Sequence, residues 1–258
     1  MLNDVYDGAR SWHLCLFMAW EETKQKYRRS LLGPFWITLN SAVFTLAMGP
    51  LYGSLMNQSV ANFFQYFAVG YVIWSFISTY LNDSCGVFIN AEGYIKQMKL
   101  PYTFYLIKAL ARNLILLAHN FIVVLAVLIF FPPENIFHVL YLPLGMLLLI
   151  GNLFWMSTIL SIVCIRFRDV PQVLANILQL LFFITPIMWY PNMITGTRFS
   201  LFVAFNPIYY MLDIVRGPLL GEPPNMLALK ITGLLLVCGV LISGAIFCKY
   251  RSKISYWV

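Results

Sequence analysis

Few side chains in this sequence have the type and the spacing that metal or nucleophilic chemistry requires. The three histidines, His13, His119 and His138, are far apart and have no carboxylates at ligand spacing. The five cysteines are scattered without a C-x-x-C pair, and the motifs H-E-x-x-H, G-x-S-x-G and G-x-x-x-x-G-K-S/T do not occur. We therefore expect no catalytic site, no metal and no cofactor in this chain, and no loop that holds the phosphates of ATP.

Composition indicates which solvent surrounds the chain. Of its 258 residues, 60% are hydrophobic and 10% are charged, and the mean hydropathy is +0.77. A soluble domain has about 45–50% apolar and about 25% charged residues, so this chain could not cover a surface that faces water. A soluble enzyme, a disulfide-stapled secreted domain and a disordered chain are excluded. The sequence predicts an integral membrane protein, whose net charge of +7 reflects membrane sidedness rather than nucleic-acid binding.

Carboxylates at membrane depth are the groups on which ion-coupled transporters carry their ion. Of the ten acidic residues, only Asp83 is expected near that depth. Lys108 and Arg112 are its expected partners, so a buried ion pair is the favoured interpretation and a coupling site the alternative. His119 is the one histidine expected within lipid, where a hydrogen-bonded packing role is favoured over a proton relay.

Aromatic side chains are abundant, at 17% of the chain. Some belong to interfacial belts, but many are expected in the middle of spans, for example Phe44, Tyr71, Trp74, Phe182 and Phe183. Aromatic faces pack against the apolar C–H faces of sugars without requiring a fixed hydrogen-bond pattern. They therefore suit a path along which a long polymer slides, and packing against lipid or core is the alternative for any single ring.

The elements that must position these residues follow from the charges. No charged residue lies between Ser30 and Asn82, a stretch much longer than the roughly 20 residues that cross a bilayer, so the chain must turn back near residues 57–59. Six spans are predicted, at about residues 32–56, 63–81, 106–131, 139–165, 170–189 and 231–248. All basic residues except Arg198, Arg216 and Lys230 then lie on the side of the termini, which the positive-inside rule places in the cytoplasm.

Two segments fit neither a span nor a simple loop. Residues 9–30 contain an apolar part that is too short to cross, which predicts an N-terminal interfacial amphipathic helix. Residues 191–229 contain apolar pieces with the length of re-entrant helices, which could cap the outer mouth of a conduit, and a partly ordered surface loop is the alternative. The predicted fold is an all-α integral membrane protein with six transmembrane helices, the interfacial helix and short re-entrant helices before the last span. Residues 1–258 form one domain.

Several motifs occur in an order that resembles a known family. They are K-Y-R-R-S-L-L-G-P-F-W at residues 26–36, K-L-P at 99–101, R-F-R-D-V at 166–170, I-T-P-I-M-W-Y-P at 184–191, and F-N-P at 205–207 with the later Arg216. Together they are similar to the permease subunits of polysaccharide-exporting ABC transporters. No single motif is specific, but the ordered set covers nearly the whole chain and agrees with the predicted topology.

The resemblance implies a transport subunit that does no catalysis of its own. It would form a homodimer, pair with two copies of a separate ATPase subunit that binds ATP and magnesium, and contact membrane lipid but no nucleic acid. Its substrate would be a lipid-linked polysaccharide of O-antigen, capsule or teichoic-acid type, exported across the bacterial cytoplasmic membrane. The alternatives are an ABC-type exporter of a drug or small lipid, a membrane-embedded enzyme acting on lipid-linked sugars, and a passive channel.

The resemblance also implies roles for individual residues. Contact with the ATPase falls to the interfacial helix and to the link around residues 93–101, with Arg28, Arg29, Lys96 and Lys99 as the coupling residues. Between the fourth and fifth spans, Arg166 and Arg168 could meet the lipid pyrophosphate or form an entrance gate, or they could simply set topology. Asp169 in the same link is expected to cap the fifth span, with Pro171 in its first turn. The candidate path residues are Phe44, Tyr52, Phe182 and Phe183.

Overall fold

A computed structural model describes residues 2–28, 30–33, 35–56, 59–98, 100–133, 135–194 and 196–258 of the chain. Within these ranges the chain is helical and has no strand. Two short 3-10 helices cover Ile136–Tyr141 and Pro191–Ile194. The α-helices of the described ranges are α1 (Leu2–Arg10), α2 (Trp12–Lys26), α3 (Phe35–Leu55), α4 (Val60–Gly86), α5 (Glu92–Gln97), α6 (Tyr102–Phe130), α7 (Leu142–Arg166), α8 (Val170–Ile184), α9 (Ser200–Ala204), α10 (Pro207–Leu219) and α11 (Met226–Trp257).

Three stretches of described helix are long and apolar enough to cross a membrane: Tyr102–Phe130, Ile136–Arg166 and Met226–Trp257. The helix α8 is apolar but has only 15 residues. The helices α3 and α4 occupy the positions of the first two predicted spans, and their glycine, amide, hydroxyl and aromatic side chains lower their hydropathy. The predicted all-α membrane class is confirmed, whereas the number of spans stays a prediction.

Helix boundaries differ from the predicted spans for identifiable reasons. The fifth span was expected to reach residue 189, but α8 ends at Ile184. Thr185 is extended, with φ −75° and ψ 132°, because Pro186 disfavours helical backbone at the residue before it and has no N–H of its own. In contrast, α6 begins before its predicted span and α11 extends beyond both predicted ends. Hydropathy marks only the apolar part of a helix, and lysine and arginine are good helix formers as well.

The helix α4 is the centre of the bundle, packed against α3, α6, α7 and α10. Its large side chains Phe63, Phe67 and Tyr80 are fully buried. The most extensive contact between two helices joins α7 and α11. Gly239 of α11 allows their close approach, since a Cβ there would collide with the ring of Trp155. Across the same pair, the side-chain amide of Asn152 donates to the carbonyl of Thr232 at 3.0 Å.

The N-terminal region consists of two helices rather than the single one expected at residues 9–30. The helix α2 packs on α6 through Cys15, Ala19 and Thr23, which recur every four residues and are buried. The preceding α1 docks at the start of α6: Asp4, with a side chain 1% exposed, accepts from the backbone N–H of Thr103 at 3.2 Å and pairs with Arg251 of α11 at 2.6 Å. Asp4 therefore caps a helix that begins about a hundred residues later.

The segment expected to form short helices before the last span contains α9 and α10. Asn206 begins α10 by accepting from the N–H of Ile208 at 3.0 Å, with Pro207 in the first turn. Most of α10 is buried against α4, α7 and α11. At its closest approach a Cβ at Gly145 of α7 would collide with the carbonyl oxygen of Ile214. The helix α10 therefore belongs to the bundle core, whereas α9 is mostly exposed and buries only Val203.

Candidate functional site

A cleft of about 400 Å³ lies between α3, α4 and α8. Its wall combines aromatic rings with small hydroxyl and amide side chains, a lining that could contact the apolar and the polar faces of a sugar. The lining residues are Phe44 of α3, Tyr71, Trp74, Ser75, Ser78 and Asn82 of α4, and Ala175, Leu178, Gln179, Phe182 and Phe183 of α8.

Helical periodicity places these side chains on shared faces. On α4 the lining positions follow at intervals of three or four residues, and on α8 the same interval relates Ala175, Leu178 and Phe182. Residues at such spacing lie one above another along a helix. The spacing therefore produces a strip along α4 that is aromatic at Tyr71 and Trp74 and polar from Ser75 to Asn82, opposite a mostly apolar strip on α8.

The aromatic rings of the cleft wall form two groups of contacting rings. Phe44 stacks on Tyr71 with 4.5 Å between ring centroids and an interplanar angle of 29°. On the other side, the rings of Trp74 and Phe182 are 5.8 Å apart, and Phe182 meets Phe183 edge to face at 5.4 Å. These separations are typical of favourable aromatic pairs, so the wall is held in shape by its own contacts.

Three of the four predicted path residues meet at this cleft. Phe44, Phe182 and Phe183 line it, whereas Tyr52 lies farther along α3 and packs against the core. Tyr71 and Trp74 were expected as aromatic residues in the middle of a span and were not among the four path residues. Their three-residue spacing, continued by the serines of α4, is the signal that would have placed them with the path. That the cleft is a transport path stays a prediction.

The helix α8 is packed on one side only. Leu178 is its single buried residue, and α8 contacts α4 and, more sparsely, α7. Its other face exposes large apolar side chains, with exposed fractions of 54% for Val173, 64% for Leu180 and 60% for Phe183. The cleft consequently opens along a helix with an uncovered apolar face.

Two of the predicted coupling residues, Arg28 and Lys96, lie near the ends of α2 and α5. Arg28 is exposed just after α2, and Lys96 on α5 pairs with Glu92 at 2.6 Å. This pairing lowers the pKa of the exposed Glu92 carboxyl, chiefly through the hydrogen bond from Lys96. Arg29 and Lys99 lie outside the described residues. The structure thus leaves the ATPase-coupling assignment a prediction.

The residues between α7 and α8 are exposed, as a contact with a partner or a lipid head group would need. Arg166, Arg168 and Asp169 all face solvent, and the guanidinium of Arg166 lies 5.7 Å from the ring centroid of Trp257. The expected side-chain cap is wrong: Asp169 occupies the N-cap position of α8 but makes no capping hydrogen bond. Its backbone is helical rather than extended, and Pro171 in the first turn offers no N–H to accept.

A charge network joins α2, α4 and α6. Asp83 of α4 pairs with Arg112 at 2.8 Å, as expected, and accepts from the amide of Asn113 at 2.9 Å. The expected pairing of Asp83 with Lys108 is wrong, because α2 packs on α6 and brings Glu22 to Lys108 at 2.5 Å. Glu22 also reaches Arg112 at 3.4 Å, so it bridges both cations, a long-range contact that the sequence did not reveal.

The contacts of His119 are hydrogen bonds within the helix bundle. The Nδ1 atom of His119 lies 2.8 Å from the carbonyl oxygen of Ile115 in the same helix. The carbonyl oxygen of His119 accepts from the hydroxyl of Thr38 at 2.9 Å, joining α6 to α3. Among the described residues, no three His, Cys, Asp or Glu side chains are grouped as metal ligands.

A buried arginine fixes the irregular end of α8. Arg216 of α10 is 3% exposed; it donates to the carbonyl of Pro186 at 2.7 Å and lies over the ring of Tyr66 at 4.1 Å. Asp213, one turn earlier, is 3.6 Å away. The hydroxyl of Tyr66 donates to the same Pro186 carbonyl at 2.8 Å, so the backbone freed by the helix break is satisfied within the protein. Nearby, burial raises the pKa of Glu222, and Arg216 partly opposes this rise.

Comparison with known proteins identifies the family. Residues 13–220 match the ABC-2 type transporter family. An O-antigen export system permease protein RfbA of Myxococcus xanthus is 24% identical over 200 residues, which are 77% of each chain. Two proteins with the same name from Klebsiella pneumoniae are 24% and 22% identical over 236 and 237 residues, or 90% of each chain. The family match covers the helices that form the aromatic cleft and the charge network, and the chain belongs to the ABC-2 type transporter family.

Proposed function

We propose that this chain is the transmembrane subunit of an ATP-driven exporter of lipid-linked, O-antigen-type polysaccharide. The observation that carries this proposal is the similarity to relatives named O-antigen export system permease, which extends over 90% of the chain. The expectation of a polysaccharide-export permease from the ordered motifs is confirmed at the level of the family. The chain is accordingly a transport subunit, and ATP hydrolysis is assigned to a partner.

The chemistry of the aromatic cleft supports a glycan path. Stacked rings such as Phe44 and Tyr71 offer flat apolar surfaces, and Ser75, Ser78 and Gln179 supply hydrogen-bonding groups that can exchange partners. A polymer that moves through its transporter must bind weakly at many positions. A wall of rings with interspersed hydroxyl and amide groups meets that requirement because it demands no unique register.

The proposed topology assigns six spans to α3, α4, α6, α7, α8 and α11 within one domain. Both chain ends lie in the cytoplasm, α2 lies along the cytoplasmic surface of the bacterial inner membrane, and α9 and α10 belong to the outer half. The 15 residues of α8 span about 22 Å, so α8 alone is shorter than the hydrocarbon core of about 30 Å. The extended residues after Ile184, whose Pro186 carbonyl Arg216 binds, complete that crossing.

A second copy of the chain is the proposed cover for the free face of α8. Val173, Leu180 and Phe183 on that face, together with Val43 and Leu46 on α3, are exposed large apolar side chains. A homodimer joined near these faces would enclose the cleft between two copies. The position of the cleft beside the exposed face of α8 supports a dimer at this face.

The partner ATPase, in two copies that bind ATP and magnesium, is proposed to dock on α5 and the end of α2. Tyr94 and Met98 around α5 are 47% and 48% exposed. Lys96 is exposed between them in sequence, and Arg28 is exposed just after α2. Arg29 and Lys99 complete the proposed coupling set. Arg166, Arg168 and Asp169 are proposed for the gate through which the lipid pyrophosphate enters, since all three are exposed between α7 and α8.

Purification from the native membrane tests this proposal. The tagged chain is extracted in mild detergent, and the co-purified proteins are identified by mass spectrometry. We expect a stoichiometric partner that carries a Walker A loop, and in a strain depleted of the chain we expect lipid-linked polysaccharide to accumulate while surface polysaccharide disappears. A chain that purifies alone under several gentle conditions, in a strain whose surface polysaccharide is unchanged by depletion, would contradict the proposal.

A further inference from the structure

A cavity of about 510 Å³ lies where α2, α4, α5 and α6 meet. It is separate from the aromatic cleft and has a different lining, dominated by charged and polar side chains. Its lining residues are Glu22, Gln25, Lys26, Asp83, Val87, Asn90, Ala91, Tyr94, Tyr105, Lys108, Ala109 and Arg112. Its volume is within the range of about 300–1,000 Å³ that is typical of ligand pockets.

The charges in this lining do not cancel. Two carboxylates, Glu22 and Asp83, face three cations, Lys26, Lys108 and Arg112, which leaves one net positive charge. The side chain of Lys108 is only 13% exposed and that of Arg112 is 30% exposed. A partly buried charge is stabilised by a counter-ion, and a monoanion would balance this group.

The cations also keep unused hydrogen-bond donors. An ammonium has three donors and a guanidinium five. Lys108 uses one donor at 2.5 Å on Glu22, and Arg112 uses two, at 2.8 Å on Asp83 and 3.4 Å on Glu22. The remaining donors match the several acceptor oxygens of a phosphate, which arginine and lysine commonly bind.

An unpaired hydroxyl is the second observation. Tyr105 is the least exposed residue of the lining, at 1%. Its buried hydroxyl has no hydrogen-bond partner in the described part of the chain. A buried polar group without a partner is destabilising, and such groups are rare in native proteins. A ligand oxygen in the cavity would supply the missing partner after a small rotation of the ring.

We propose that this cavity binds a monoanionic phosphodiester head group, held by Lys108, Arg112 and Tyr105 with Lys26 at its edge. The proposal rests on the placement of α2 at the cytoplasmic membrane surface, where basic pockets between helices bind anionic lipid head groups. The phosphodiester belongs either to a lipid such as phosphatidylglycerol or to a soluble molecule. Bound there, it joins α2 to α4 and α6 and strengthens the connection already made by Glu22.

Lipid retention by the purified full chain tests the proposal. The chain is reconstituted in discs of phosphatidylcholine with or without phosphatidylglycerol, and the lipid that remains bound after extraction into detergent is quantified by mass spectrometry. We expect selective retention of phosphatidylglycerol by the wild type. Tyr105→Phe should weaken retention by about tenfold through loss of one hydrogen bond to a charged group, and Lys26→Gln should abolish the preference for the anionic lipid.

Matched variants separate binding from folding. Lys24→Gln is the control for Lys26→Gln, because Lys24 lies on the same exposed helix but does not line the cavity. Tyr105→Phe removes a hydroxyl that has no protein partner, so in phosphatidylcholine alone its unfolding temperature should equal or exceed that of the wild type. Soluble glycerophosphoglycerol is the second probe: displacement of the bound lipid at equal concentration assigns the site to soluble phosphodiesters, and no displacement assigns it to the lipid.

Equal retention of the two lipids by the wild type would overturn the proposal, and so would an equal loss in the Lys24 and Lys26 variants. The measurement uses neither ATPase nor polysaccharide. A failure here therefore leaves the export function untouched, and a failure of the export proposal leaves the lipid result standing.

Discussion

Replacement of the buried Arg216 by methionine is expected to destabilise the packing of α10 against α4 and the end of α8. The change removes a charged hydrogen bond of 2.7 Å to the Pro186 carbonyl and the contact of the guanidinium with the Tyr66 ring. It also leaves Asp213, with a side chain 13% exposed, without its cation. Removing one partner of a buried ion pair is unfavourable by about 3–5 kcal/mol, and the apolar packing of methionine does not supply the lost charge. Tyr66 retains its own hydrogen bond to the Pro186 carbonyl, so that carbonyl keeps one donor.

Thermal unfolding of the purified full chain in detergent measures this effect. At about 2–4 °C per kcal/mol for a chain of this size, we expect Arg216→Met to lower the unfolding temperature by at least about 6 °C. Adding Asp213→Asn should recover part of the loss, because the carboxylate no longer lacks a counter-ion. The exposed Arg198→Met, on the same side of the protein, should change stability by less than about 0.5 kcal/mol. A shift of less than about 2 °C for Arg216→Met would refute the reasoning.

Three further predictions concern export, coupling and pH. Phe182→Ala should slow polysaccharide export by about three- to tenfold, equivalent to roughly 0.5–1.5 kcal/mol of lost ring contact, without reducing complex assembly. Phe137→Ala, which removes an exposed ring outside the cleft lining, should leave the export rate unchanged. Assembly that falls in step with export would make Phe182 a packing residue. Charge reversal of Arg28 and Lys96 should abolish export while the protein still inserts, as measured by membrane fractionation and surface polysaccharide, and full export by this variant would remove both residues from the coupling set. Burial raises the pKa of Glu222 above its ordinary value of 4.5, so the folded state binds more protons than the unfolded state. The free energy of unfolding should therefore fall as pH rises from about 4.5 through the raised pKa. Glu222→Gln should flatten that part of the plot of unfolding free energy against pH, and an unchanged slope would contradict the assignment.

Helix positions were largely predictable because charge and apolar length determine where a chain can cross lipid. Each of the six predicted spans coincides with a helix. The error at the end of α8 came from reading hydropathy through Thr185 and Pro186, where backbone sterics end the helix. Proline at that position was visible in the sequence, and weighing it against hydropathy would have corrected the boundary.

The contents of the sites were less predictable, since they depend on which helices meet. The partnership of Asp83 with Arg112 followed from their expected common depth and is confirmed. The pairing of Lys108 with Glu22 depends on how α2 lies on α6, and no periodicity within either helix encodes that angle. For the same reason the sequence could suggest Phe44 and Phe182 as a pair across two helices but could not exclude Tyr52.

The ion pair between Asp4 and Arg251 has a consequence for the order of assembly. The two residues are 247 positions apart, so during translation every helix from α2 to α10 is made before Asp4 can meet its cation. Until then, a buried carboxylate at the start of α6 would lack its counter-ion, and we expect α1 to remain undocked. We therefore expect the docking of α1 to wait for the completion of α11, so that a chain stalled within α11 would leave the start of α6 uncovered.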